Sequence, residues 1–131
     1  MLLRIDFESE TPIYRQLRDQ IVLGLARGEL AEGESLPSVR QLAGDLGVNM
    51  HTVNKAYAML RAESFIVIHK QKGALVARRE GARADEAAKA RLALDFEPLV
   101  AECVARGITR AETQALIAKV YAGITNPGGQ P

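Results

Sequence analysis

The 131-residue sequence predicts a mainly α chain interrupted by one small β-hairpin. Three observations carry this. Apolar residues recur at i, i+3, i+4 and i+7 in separate segments, the spacing of one helix face. Capping residues stand at the starts of those segments. One run, "FIVIHKQKGALVARR", instead places β-branched and aromatic residues around a glycine turn.

"ETPIYRQLRDQIVLGLARGEL" is the first predicted helix. Ile13, Leu17, Ile21 and Leu25 form its apolar stripe. Thr11 is placed to cap it and Pro12 to occupy the first helical position, where no N–H is needed. Gly28 is the expected stop. The following "AEGES" reads as a loop.

"LPSVRQLAGDLGVNMHTVNKAYAMLRAE" predicts two more helices. Pro37 keeps Leu36 extended. Ser38 caps, with Gln41 three residues on, as in a capping box. Val39, Leu42, Ala43 and Leu46 make a buried face that leaves Arg40 outside. Gly47 supplies the turn and Asn49 caps the next helix. Val53, Ala56, Tyr57 and Leu60 are its apolar set; His51, Thr52, Asn54 and Lys55 fall towards solvent. Two amphipathic helices around a glycine turn predict a helix-turn-helix. The hairpin follows, with strands at 65–69 and 74–77 and a turn at Gln71, Lys72 and Gly73. Helix-turn-helix and hairpin together predict a winged helix over residues 1–79.

"REGARADEAAKAR" begins a helix rich in alanine and alternating charge. Leu92, Phe96, Leu99 and Cys103 continue it at near-helical spacing. Pro98 predicts a kink or a fresh helix start there. Gly107 ends it, and Thr109 with Glu112 predicts a second capping box. Leu116, Ile117, Val120 and Tyr121 form the apolar face of a last helix. Residues 80–123 thus form a helical region with no evident pocket of ligand size. Its eight apolar residues have little to cover within so short a tail, which predicts pairing with a second copy. Residues 124–131, within which "NPGGQP" begins at 126, are the expected disordered tail.

Composition excludes several classes. No apolar run approaches the roughly 18 residues of a membrane span, and "MLLRIDFESE" lacks the pattern of a signal peptide. Cys103 is the single cysteine, so no internal disulfide forms and a reducing cytoplasm is the expected compartment. The two histidines are not spaced as a metal site, and no cofactor is expected. No nucleophile–base pair or phosphate-binding glycine loop appears, which argues against an enzyme. The net charge is only +1, but it is segregated. Residues 1–34 carry −3, residues 35–79 carry +5 and residues 80–131 carry −1. Positive charge concentrated on the helix-turn-helix suits a polyanion.

A helix fits the DNA major groove, and its first turn comes nearest the base edges. Side chains there must be polar and free of packing duties. Asn49, His51, Thr52 and Asn54 meet that requirement, and Lys55 can reach a guanine or a phosphate. Arg40 can reach a phosphate or a guanine from the preceding helix. Ser38 can donate to a phosphate at a helix N-terminus. Lys70, Lys72 and Gly73 at the hairpin tip can approach the minor groove.

At these residues the chain resembles the GntR family of bacterial transcription regulators. The resemblance covers about residues 8–78 and rests on "TPIYRQLRDQI", on the L-P-S-x-R and G-V-x-x-x-T-V-x-K-A-Y elements, and on "QKGALVA". It implies DNA contacts at Arg40, Asn49, His51, Thr52 and Asn54, a wing glycine at Gly73, and weaker contacts at Ser38 and Lys55. The short tail resembles that of the YtrA-like subfamily, which implies a dimerisation element and a nearby transporter as a common target. Three departures stand out. Ser64 replaces a usual glycine, which predicts a different helix ending. Met50 takes the place of a small residue or proline. The wing lacks a second glycine and an aromatic. The expected function is a homodimeric regulator, a repressor, on a near-palindromic double-stranded operator, with the effector unknown. The competing expectation is a winged helix used for protein assembly without a specific operator.

Overall fold

The computed structural model describes residues 3–78 and 85–126. The chain divides into two compact units, Met1–Ala82 and Arg83–Pro131. The first holds α1 (Ile13–Ala26), α2 (Val39–Leu46), α3 (Met50–Ala62), β1 (Ile66–His69) and β2 (Gly73–Val76). The second holds α4 (Glu86–Ala105) and α5 (Arg110–Thr125).

The core of the first unit is built from the predicted stripes. Leu17 and Ile21 of α1, Val53 and Leu60 of α3 and Ile66 of β1 are almost fully buried. Leu42 and Ala43 of α2 and Ala56 and Tyr57 of α3 join them. Each buried Leu, Ile or Val side chain contributes roughly 1.5–3 kcal/mol by leaving water. The start of α1 departs from expectation. Pro12 is the N-cap, and no side chain caps the helix. Thr11 is bound otherwise: its N–H donates to Ser9 Oγ and its carbonyl accepts from Gln16 Nε2. The predicted stop at Gly28 is present, with φ +75.

Two glutamines fix the N-terminal segment. Asp6 exchanges backbone hydrogen bonds with the Gln16 side chain, and Arg4 does the same with Gln20. The geometry explains the spacing. Alternate residues of an extended chain repeat about every 6.6 Å, close to the roughly 6 Å between i and i+4 on a helix. Leu3 and Ile5 consequently lie against the core.

The hairpin pairs antiparallel, with Val67 opposite Leu75 and His69 opposite Gly73. The segment read as a loop does more than connect. Gly33 N–H donates to Val76 O, Val76 N–H to Glu34 O, and Leu36 N–H to Ala74 O, each at 2.9 Å. Residues 33–36 thus line the second edge of β2 and strap the wing to the entrance of α2.

In the second unit, Asp85 caps α4 by accepting from Ala88 N–H. The beginning of the predicted helix, residues 79–84, lies outside the described residues. α4 runs through Pro98 as one helix, so there is no fresh start. A proline only removes one donor and crowds one carbonyl, and the flanking helical turns hold. Gly107 (φ +77) ends α4. The Thr109–Glu112 capping box forms in both directions, and these bonds hold the Glu112 carboxyl below its ordinary pKa. The expected disordered tail is shorter at its start: Ile124 and Thr125 belong to the last turn of α5, which Asn126 caps, and residues 127–131 lie outside the described residues.

Candidate nucleic-acid interface

The helix-turn-helix is assembled by local signals. Ser38 Oγ accepts from Gln41 N–H at 3.0 Å, the forward half of the predicted box. Gly47 takes the left-handed conformation (φ +69) that ends α2 and turns the chain towards α3. Asn49 Oδ1 then accepts from His51 N–H at 2.7 Å, which leaves the Asn49 amide NH2 for an outside acceptor. His51, Asn54 and Lys55 are exposed and share one face of α3; Thr52 is half-buried beside them. Met50, at the first position of α3, is 46% exposed. Ser38 and Arg40 are exposed at the start of α2.

Three side-chain links brace this surface. Tyr57 OH donates to Pro37 O at 2.7 Å, and burial pushes the phenol pKa up to about 12. The link joins the middle of α3 to the residue just before the Ser38 cap. Lys55 Nζ lies 4.0 Å from the centre of the Tyr14 ring, a cation–π contact that ties α3 to α1. Lys55 is therefore partly committed to the protein, unlike His51 and Asn54. Arg18 holds Glu63 with two parallel bonds of 2.9 and 2.8 Å and also touches Asp19. The bond to Glu63 raises the Arg18 pKa against the opposing effect of burial. Arg18 also lies over the Phe65 ring, so the far end of α3 is anchored to α1. Sequence reading missed all three links.

The end of α3 overturns one expectation. Ser64 adopts the left-handed conformation itself, with φ +67. Its N–H donates to Arg61 O and that of Phe65 to Leu60 O, the pattern a glycine would give. At the wing tip, Lys70, Gln71 and Lys72 are exposed. His69 Nδ1 accepts from the N–H groups of Gln71 and Lys72, each at 3.2 Å, so His69 shapes the turn. A Cβ on Gly73 would meet nothing within 4 Å. Its φ of +76, rather than crowding, is what favours glycine there. Ser38, Arg40, Asn49, His51, Thr52 and Asn54 all belong to the braced helix pair; Lys72 and Gly73 lie at the separate wing tip.

The eight apolar residues expected on the tail are largely bare. Leu92, Phe96, Leu99, Leu116, Ile117, Val120 and Tyr121 are between 43 and 69% exposed, and Cys103 is half-exposed. No residue of α4 or α5 is buried. Contrary to the expectation of no pocket, an apolar groove of about 390 Å³ runs between the helices. Apolar spacing identifies a stripe but does not fix how far two helices splay. Phe96, Leu99, Cys103, Leu116, Ile117, Val120 and Tyr121 line the groove; Leu92 does not.

Comparison with known proteins agrees with this architecture. Residues 12–76 match the family model described as bacterial regulatory proteins, gntR family. The HTH-type transcriptional regulator Rv1152 of Mycobacterium tuberculosis is 37% identical over 89 residues, 68% of this chain and 74% of that one. Two Bacillus subtilis relatives are spanned over only 59% and 58% of their length. Among solved structures, YtrA from Sulfolobus acidocaldarius, a GntR-family transcription factor, is 42% identical, with a TM-score of 0.60 over 76% of this chain and 99% of that one. A transcriptional antiterminator from Listeria monocytogenes EGD-e is 28% identical, with a TM-score of 0.86 over 95% of this chain and 92% of that one. The extent of the Rv1152 match, joined to the capped helix pair and wing, places the assignment beyond the fold alone: the chain belongs to the GntR family of bacterial transcription regulators.

Proposed function

We propose that this regulator is an operator-binding repressor that acts as a homodimer in the cytoplasm. The observation that carries the reading is the first half of α3. Its opposite face is locked into the core through Val53, Ala56, Tyr57 and Leu60, while His51 and Asn54 are exposed and Asn49 keeps a free amide donor. A rigid helix with an uncommitted polar face is what base reading in the major groove requires. Arg40 and Ser38 supply phosphate contacts beside it, and Lys72 with Gly73 reaches the adjacent backbone or minor groove. Thr52 and Lys55 stand at the margin of the reading face.

The second copy is argued from α4 and α5. Their open apolar groove is costly in water for a single chain. A two-fold pair covers both grooves and presents two recognition helices, which requires a near-palindromic site with half-sites about one helical turn apart or a little less. A protein seated on a promoter in this way excludes polymerase. Binding uses only the chain's own residues and needs no cofactor.

The test is selection of bound sequences from a random duplex library at two salt concentrations. The expected result is an inverted repeat whose affinity falls steeply with salt. Arg40→Ala and Asn54→Ala are each expected to weaken binding by about 1–3 kcal/mol, leaving the sedimentation coefficient unchanged. Salt-sensitive binding without an enriched sequence would favour a winged-helix assembly module instead.

A further inference from the structure

Base-reading side chains on α3 and phosphate-contacting side chains at the start of α2 must be held at a fixed offset to engage one duplex together. Two of the structural links meet at this junction. The strap at residues 33–36 is bonded to β2, with Leu36 N–H donating to Ala74 O. One residue further on, Pro37 O accepts from Tyr57 OH. Ser38, the cap of α2, comes next, and Arg40 follows within its first turn. The Tyr57 ring is buried among core residues and lies one turn beyond Val53 on α3. Its hydroxyl thus makes a hydrogen bond between the recognition helix and the entrance of α2.

We infer that Tyr57 is a positioning residue for DNA recognition, its hydroxyl holding the Pro37 carbonyl and so setting Ser38 and Arg40 relative to the base-reading face of α3. The inference rests on the operator-binding reading above. Without the hydroxyl, the apolar ring still fills the core, but the carbonyl loses its fixed partner. The start of α2 then gains freedom that must be lost again on binding. The effect reaches the duplex through Arg40 and Ser38. It does not reach His51, which is carried by α3 itself.

The experiment is a pair of double-mutant cycles on operator affinity, using the full chain and the sequence selected from the library. Tyr57→Phe is combined with Arg40→Ala in one cycle and with His51→Ala in the other. Tyr57→Phe alone is expected to weaken operator binding about three- to tenfold. In the Arg40→Ala background its effect is expected to shrink to less than about twofold, while in the His51→Ala background it persists in full. A general loss of stability would act equally in both backgrounds, so equal additivity overturns the inference. So does unchanged affinity in Tyr57→Phe when wild type binds its operator selectively. Wild type without any sequence preference would instead overturn the operator-binding reading, and the inference with it. Should Tyr57→Phe unfold, Pro37→Ala combined with Arg40→Ala provides the second route: a more flexible backbone at the accepting carbonyl is expected to show the same loss of additivity, and full additivity there sinks the idea.

Discussion

The two units carry the same kind of sequence signal and use it in opposite ways. In α1 and α3, apolar residues at helical spacing are consumed internally: Leu17, Ile21, Val53 and Leu60 are at most 1% exposed. In α4 and α5, a similar spacing ends bare, with Leu99 64%, Val120 63% and Tyr121 69% exposed. The difference lies in the number of layers available. The winged helix surrounds α3 with α1, α2 and the hairpin, so the apolar stripes of its helices find partners. Two helices alone cannot enclose a core between them. A stripe therefore reveals which face avoids water, and the surrounding topology decides whether the chain itself covers it.

The sharpest way to break this contrast is a matched pair of truncations. Leu60→Ala removes a fully buried side chain and is expected to destabilise the first unit by about 3–5 kcal/mol, a large part of a small domain's total stability. Denaturant unfolding followed by circular dichroism would report it. Leu116→Ala removes as many atoms from a residue that is 50% exposed in the single chain. It is expected to leave that unfolding step nearly unmoved. If both variants unfold alike, the second unit has a core of its own and the contrast fails.

Ile117→Asp sharpens the comparison from the other side. Ile117 lines the apolar groove and is 44% exposed. In a lone chain the substitution places a carboxylate in water at little cost. In a paired chain it forfeits roughly 2–3 kcal/mol of apolar burial in each copy, weakening association at least a hundredfold. Sedimentation is expected to shift from dimer to monomer while the winged helix retains its thermal transition. A protein that remains dimeric would move the interface off this groove and leave the groove without an occupant.

Much of the fold was legible because its signals are local. Caps at Ser38, Asn49 and Thr109, stops at Gly28, Gly47 and Gly107, and the apolar stripes all act within a turn or two of the residues that encode them. The missed features join distant segments. "AEGES" has no period to mark it as a sheet edge, because its pairing with β2 uses backbone groups that every residue carries. Gln16 and Gln20 lie off the apolar stripe of α1 and carried no sequence signal of their role, although their spacing matches the extended segment they hold. Tyr57 was correctly assigned to the apolar face of α3, but its hydroxyl partner lies 20 residues away. The candidate reading residues were legible as polar positions left over by packing. Which of them packing still restrains was not: Lys55 rests on Tyr14, and Thr52 is half-buried.

The smallest expected effect lies at Ser64. A glycine suits a left-handed helix end, and a serine in its place predicts another geometry. The structure keeps the geometry and accepts the strain, with φ +67 on a residue that has a Cβ. What outweighs the strain is collective. Phe65 N–H closes onto Leu60 O at 2.8 Å, Ile66 enters the core at 1% exposure, and Glu63 is held by Arg18. A different helix ending would give up all of these to relieve about 1 kcal/mol. Ser64→Gly is therefore expected to stabilise the winged helix by up to about 1 kcal/mol, reduced by the extra freedom glycine has when unfolded. That would raise the thermal midpoint by a few degrees in a domain of this size, without altering dimerisation. A lowered midpoint would mean that the serine contributes an interaction outweighing its strain.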